Sequence, residues 1–474
     1  MIKQDSKSSW VIERCVVPGA EQVAHVRRRV LGLYPRPALF ETGAGFQAVD
    51  GSQTMFMVDL LFEIKLVDGN WHVYGSGPFE MKITECRAVV SDDTKPLLER
   101  LRHVTQILAL PEGYPLVLVM AYSAARFVEH LPGMAIEKGE PEVILRVYRY
   151  VVRYNGAESE AEIDVLKTRQ DEVTDIANLV AALIDPRKDP SPSGPWDSGV
   201  LRDLTDRSAF CAMVNRAKEH IHAGDIYQVQ LCRRAVSSTT IPPVDLYERL
   251  ASTNPAPYMY YLDLGDRHIV SSSPELMLRS GDGVVQVRPI AGTMAQEDQR
   301  GNRLDCIPKE VAEHLMLVDL ARNDLARCAI PGGVHVSSFM QLDAYGPLFH
   351  LVSTVETPVR ANCDIWDLIA ANFPAGTMTG APKVRAMEII ADLEETARGV
   401  YTGCSGYITG KDNGVLALTI RTIVGDSGHY VLQAAAGIVA DSQASAEWDE
   451  AGAKIQSFAR AIGGAHENII DRCL

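Results

Sequence analysis

Apolar and polar positions alternate with period two along several stretches of this chain and recur at helical spacing along others. Thr54–Val67, His72–Tyr74, Pro115–Tyr122 and Val143–Tyr154 read as strands, separated by helical patterns such as Thr94–Leu110. Further on, a helix at Ala209–His222 leads into a strand at Ile226–Ser237. Strands are predicted at Tyr258–Leu264, His268–Ser272, Val284–Ile290 and Gly333–Phe339. Helices are predicted at Lys309–Leu325, Asp364–Asn372, Lys383–Glu395 and Ala446–Ala461. Long mixed strands with helices returning on the outside fit an α+β fold. The run DPRKDPSPSGPWDSG, residues 185–199, is rich in Pro, Ser, Gly and charge and reads as a linker or surface loop. It divides the chain into 1–184 and 200–474.

Composition narrows the class. With 474 residues, 46% of them hydrophobic, the chain can bury a large core. A formal net charge of −15 argues against a nucleic-acid surface, though not against a local basic pocket. No stretch is long and apolar enough to span a bilayer, and MIKQDSKSSWVIERC lacks the apolar core of a signal peptide. A soluble, cytoplasmic protein is expected, with no membrane partner. Nine Cys without a CxxC pair suggest neither a disulfide framework nor a thiolate zinc site. His220 and His222 end a helical pattern, where alternate positions do not share a face, so a solvated helix end is the better reading than a metal site.

Chemistry concentrates in the second half. FPAGTMTGAPKVR, residues 373–385, places Thr377, Thr379 and a Gly-Ala-Pro turn before a helix start. Free N–H groups at a helix N-terminus and two hydroxyls suit a carboxylate-bearing ligand, although an ordinary capped helix has the same look. Two Glu-x-x-Glu pairs, Glu310/Glu313 and Glu447/Glu450, each put like charges one helical turn apart. Such pairs favour a cation such as Mg²⁺, and solvated acidic faces are the blander alternative.

These segments fall in order with GDIYQVQLCRR (224–234), NPAPYMYYL (254–262), SSSPELMLR (271–279), RPIAGT (288–293), KEVAEHLMLVDLARNDLAR (309–327), FHLVSTV (349–355) and AAAGIVADS (434–442). Together they resemble the chorismate-utilising enzymes, and most nearly the large subunit (component I) of anthranilate synthase. The resemblance covers about the last 270 residues. It implies two β-sheets packed face to face and flanked by helices, with a chorismate site in the cleft and the N-terminal third packed on this core. It implies that Glu313 and Glu450 hold Mg²⁺ against the ring carboxylate of chorismate. His350 would be the general acid–base, Thr377 would contact the leaving hydroxyl, and Glu275 would support the nucleophile side. Tyr401 and Arg421 would hold the enolpyruvyl carboxylate. Gly292 and Thr293 would lie against the ring, Ala436 and Gly437 would donate backbone N–H groups, and Lys454 would sit near the carboxylate. Without the resemblance, His350 is a core histidine and Arg421 a charged residue on a strand.

Two positions discriminate within the family. Relatives that add water at C2 carry a Lys where this chain has Gln228, and the aminodeoxychorismate synthases carry a nucleophilic Lys where it has Ala291. Ammonia attack at C2 remains, giving 2-amino-2-deoxyisochorismate and then, by loss of pyruvate, anthranilate. Three departures keep open an enzyme that stops at the amino intermediate: Ala435 replaces a Gly, the segment after PIAGT is short, and Ile307 replaces an Asp. A degenerate paralogue that only binds is a further alternative. With no amidotransferase domain in the chain, ammonia would come from a separate glutamine amidotransferase subunit. ALFET (38–42) resembles the family's inhibitor motif with Thr42 for Ser, and NPAPYM supplies its other half. Tryptophan would then bind at Glu41, Thr42, Pro257, Tyr258 and Met259, although ALFET alone reads simply as a strand.

Overall fold

A computed structural model describes residues 10–46, 53–155, 160–169, 176–185, 196–197, 199–295, 304–345 and 348–463. Most of the expected linker at 185–199 lies outside the described residues, as do residues 296–303 of the segment after PIAGT.

Two long strands organise the fold. Gln53–Val67 and Pro141–Asn155 pair along their length, with one extra residue, Leu61, in the first. A bulge bends such a ribbon and increases its twist, and the two halves of the ribbon enter two different sheets. The first half of Gln53–Val67 pairs with Ala38–Glu41, which continues through Tyr258–Asp263, His268–Ser273, Thr422–Asp426 and His429–Ile438 to Gln228–Ser237. The first half of Pro141–Asn155 carries the second sheet. That sheet runs through Leu116–Met120, Cys404–Ile408, Gly414–Leu418, Leu276–Gly281 and Val284–Val287 to Leu348–Pro358. Every one of these pairings is antiparallel. Strands from both sides of the 185–199 segment enter both sheets.

The sheets face one another across an apolar core. Phe40 of the first sheet meets Tyr407 of the second at 5.6 Å between ring centroids. Phe62, Leu118, Leu145, Leu278 and Leu416 are fully buried there. Each such side chain contributes about 1.5–3 kcal/mol by leaving water. Strand Tyr258–Asp263 is buried on both faces. Tyr260 and Leu262 point into this core, while Met259 and Tyr261 join a second apolar layer. Helices Val23–Leu31, Ala177–Ile184, Pro243–Thr253 and the end of Ala444–Ile462 cover that layer.

Some local expectations change. Val284–Ile290 is two strands, Val284–Val287 and Ile290–Ala295, because Pro289 between them has no N–H for a ladder. The strand expected at Gly333–Phe339 runs over His335–Tyr345. Arg421 is not within a strand. It precedes Thr422–Asp426 with a left-handed backbone, φ 47°.

Candidate functional site

The site forms where helices Pro308–Ala326 and Ala444–Ile462 close over the ends of several strands. The first helix packs on Ile290–Ala295 and Leu348–Pro358, the second on His429–Ile438. Their acidic pairs face each other. Burial, reinforced by the neighbouring carboxylates, pushes Glu310, Glu313 and Glu447 above the usual carboxylate range. Gly437 leaves room for this: a Cβ there would meet Gln228 Nε2 at 2.7 Å and Glu313 Oε1 at 3.3 Å. Glu450 lies at the exposed side and pairs with Lys454 at 2.8 Å. Lys454 Nζ also donates to the Ala435 carbonyl at 2.8 Å. Ala435 and Gly437 therefore turn their backbone groups toward the cleft, whereas Ala436 turns toward its paired residue, Leu231.

His350 is buried, and its Nδ1 lies 2.8 Å from the Gly292 carbonyl. A carbonyl only accepts, so Nδ1 carries the proton and Nε2 holds the lone pair. Burial, aided by the charges of Arg421 and Lys454, pushes its pKa down to about 4. Gly292 has φ 66°, and a Cβ there would meet Glu310 Oε2 at 2.8 Å, so the acidic helix touches the loop that orients His350. Thr293 follows on the same strand, Ile290–Ala295.

Arg421 has no carboxylate partner and no side-chain hydrogen bond among the described residues, and burial lowers its pKa. A guanidinium so placed could take an anion as its counter-charge. Buried Tyr401 packs with Cys232 and Ala435. Burial holds its phenol well above the usual range, so it stays a neutral donor. Glu275 is pushed up to about 8 by burial, offset in part by the Thr377 hydroxyl and the Ile290 N–H. Thr377 is buried beside it in the short helical turn Gly376–Met378, and its hydroxyl makes no well-formed hydrogen bond among the described residues.

The residues that resemble an inhibitor motif also meet. Met259 pairs with Glu41, and Thr42, Pro257, Tyr258 and Met259 line a cavity of about 50 Å³. It adjoins a cleft of about 520 Å³, with Met55, Arg279 and Tyr407 shared by both. The Glu41 carboxylate is already engaged by Arg27 at 2.8 Å and the Tyr247 hydroxyl at 2.7 Å. His220, outside the site, pairs with Asp225 at 2.7 Å.

One residue the sequence did not single out binds the site segments together. Buried Arg398 donates to the carbonyls of Met378 at 3.0 Å and Gln230 at 2.7 Å, and pairs with Glu394 at 2.7 Å. It thereby joins the Thr377 turn to the Gln228 strand. Its position just before Tyr401 is the only local hint a sequence offers.

Comparisons with known proteins agree with this architecture. Residues 67–460 match the family model described as chorismate binding enzyme. The chain is 38% identical over 383 residues to 2-amino-4-deoxychorismate synthase of Streptomyces globisporus, covering 78% of this chain and 77% of that protein. It is 38% identical over 398 residues to anthranilate synthase component 1 of Streptomyces coelicolor, covering 77% of each. The solved structure of anthranilate synthase component I from Streptococcus pneumoniae aligns with a TM-score of 0.69 and 29% identity, over 87% of this chain and 93% of that one. This protein belongs to the chorismate-binding enzyme family and is a chorismate-utilising enzyme.

Proposed function

We propose that the protein is the large subunit of an anthranilate synthase, converting chorismate and ammonia to anthranilate and pyruvate through 2-amino-2-deoxyisochorismate. The observation that carries ammonia over water is Gln228. It is buried, and its amide is committed to Glu313 at 2.7 Å. A neutral amide cannot deprotonate water, whereas ammonia is nucleophilic enough to attack without a base.

The donor set fits Mg²⁺. Glu313 and Glu450 would hold it, with water and the substrate carboxylate completing the shell, as suits an ion that takes one or two protein carboxylates. Among the described residues no three His, Cys, Asp or Glu side chains form a metal cage on their own. When bound, the ion neutralises the ring carboxylate and draws electron density from the ring.

The chain's own groups do the rest. Arg421 makes a forked contact with the enolpyruvyl carboxylate, and Tyr401 donates to it. Gly437 N–H faces the ring carboxylate. His350 Nε2, neutral at about pH 7, takes a proton and passes it to the C4 hydroxyl beside Thr377. Ammonia bonds to C2 and gives up one proton, which balances the one that His350 delivers, the C4–O bond breaks, and water leaves. In the second half-reaction Nε2 accepts the C2 proton as the C3–O bond breaks, and the departing enolpyruvate takes a proton at its methylene carbon to become pyruvate.

The ammonia source would be a separate glutamine amidotransferase subunit. Tryptophan feedback would act at the Thr42–Met259 cavity, which must open into the adjoining cleft to admit an indole. A tryptophan titration of activity tests it, and no change at millimolar ligand retires it.

A second reading stops at the amino intermediate. Ala435 favours it, because its methyl packs against Tyr401 where relatives have glycine. The Streptomyces globisporus relative, whose named product carries a 2-amino group and lacks the C4 hydroxyl, favours it too. A product assay with chorismate, Mg²⁺ and ammonium decides. Anthranilate with equimolar pyruvate supports the first reading, and an amino-cyclohexadiene without pyruvate supports the second.

A further inference from the structure

Next to Glu313 on helix Pro308–Ala326 stands His314, which has no solvent exposure. Its Nε2 lies 2.6 Å from the Ser353 hydroxyl. Ser353 is also fully buried, three residues beyond His350 on strand Leu348–Pro358. The same hydroxyl accepts the Met340 N–H at 2.9 Å. Met340 holds a left-handed backbone, φ 50°, at an irregularity of the neighbouring strand. The Ser353 N–H donates to the Pro289 carbonyl at 3.2 Å, in the segment whose Gly292 carbonyl orients His350. Among the described residues, His314–Ser353 is the only side-chain hydrogen bond between this helix and this strand.

Two polar side chains in a water-free contact are costly unless each finds its partner. An apolar pair of similar volume would hold helix to strand as well. What an apolar pair cannot supply is direction. A 2.6 Å hydrogen bond fixes both the spacing and the rotation of the helix against the strand. The proposed chemistry needs both. Glu313 serves the ring carboxylate at one end of chorismate, while His350 serves the hydroxyl at the opposite end. Misplacing either by about 1 Å costs about a hundredfold in rate.

We propose that His314 and Ser353 are positioning residues that set the separation between the carboxylate end and the proton-transfer end of the site. Neither touches substrate. The inference rests on the roles given above to Glu313 and His350. It does not depend on whether the product is anthranilate or the amino intermediate.

The test compares the parent with Ser353→Ala and His314→Gln by chorismate consumption, by calorimetric binding of chorismate and of Mg²⁺, and by thermal melting. For Ser353→Ala the expected result is turnover lowered about tenfold or more, with both affinities within about threefold. Each half-site stays intact and only their separation is loosened. His314→Gln, whose amide can still reach the hydroxyl, is expected to recover most of the turnover. The double variant is expected to be no worse than Ser353→Ala alone, as two residues acting through one bond require. Turnover within about twofold of the parent, whatever the melting temperature, overturns the inference. So does parallel loss of turnover and both affinities, which marks local unfolding. If Ser353→Ala does not fold, His314→Gln and His314→Asn are compared in the same assays, and equal turnover in the two overturns it. A parent that consumes no chorismate overturns the functional reading itself, an outcome distinct from a working parent with an unaffected Ser353→Ala.

Discussion

Gln228 donates its amide to Glu313 across 2.7 Å, joining a strand to a helix 85 residues further along the chain. The contact restrains a carboxyl that burial and the charges of Glu310 and Glu450 already push up. Gln228→Lys would place an ammonium at the same point. That charge would pair with Glu313 and compete with a divalent cation for it. The half-activating Mg²⁺ concentration is expected to rise about tenfold or more. A Mg²⁺ titration of chorismate consumption checks this, and an unchanged requirement would show that Glu313 does not serve the metal.

His350→Gln removes the lone pair at Nε2 while keeping a group near the Gly292 carbonyl. Turnover should fall by about 10²–10⁴, the usual worth of a positioned acid–base. Chorismate affinity should change little. The variant also has a signature in stability. The folded pKa of about 4 lies below the unfolded value of 6.5, so the unfolded chain binds more protons between those limits. Stability from this group is complete above about pH 6.5 and is lost as pH falls toward 4. The glutamine variant should show a shallower loss over that window in chemical denaturation. An equally steep loss would mean that His350 is not the buried neutral imidazole described.

Much of the fold is legible where a pattern is strong and local. Pro308–Ala326, Ile365–Asn372 and Tyr258–Asp263 appear within a few residues of their expected bounds, because periodicity and Pro or Asp at helix starts mark them. The strand Glu160–Thr168 escaped notice, since charged residues, the buried Asp164 among them, interrupt its apolar run. Partners are less legible than elements. Nothing near Glu41 in sequence announces Tyr247, 206 residues away, and nothing near His314 announces Ser353. Motif resemblance gathers residues by type. Which atom meets which is decided by long-range strand pairing, such as Met259 with Glu41.

Glu275 should give the opposite pH signature to His350. Its folded pKa of about 8 lies above the ordinary 4.5, so the folded protein binds the extra proton between those limits. Stability contributed by the neutral acid is present at low pH and declines as pH rises through that window. Glu275→Gln keeps the shape without the ionisation. It should be more stable than the parent at about pH 8 and nearly equal at about pH 5. Urea denaturation at both pH values checks it, and a constant difference would contradict the buried, proton-holding carboxyl.

Glu41 stands in the inhibitor-like motif, yet its carboxylate is taken up by Arg27 and Tyr247. Glu41→Ala would leave the largely buried Arg27 without its main partner. A loss of about 3 kcal/mol is expected, in line with breaking a buried pair from one side. Thermal melting should register it in the absence of any effector. A variant as stable as the parent, but altered in its response to tryptophan, would instead make Glu41 a ligand.

Arg421 presents the reverse balance of stability and function. Its guanidinium is partly buried, lacks a carboxylate partner among the described residues, and has its pKa lowered by burial. An unmatched charge in such a place destabilises the empty protein. In the proposed complex the substrate would supply the missing anion, so the same charge that weakens the free enzyme would strengthen the complex. Arg421→Gln is therefore expected to melt a few degrees higher than the parent without ligand. It should bind chorismate about a hundredfold more weakly, as the loss of a forked, charge-assisted contact implies. The parent should gain far more thermal stability from saturating chorismate than the variant does. Differential scanning of both proteins with and without chorismate reads all three effects. A variant that melts lower than the parent when empty would show that Arg421 holds the fold together, and the carboxylate would then have to be held elsewhere.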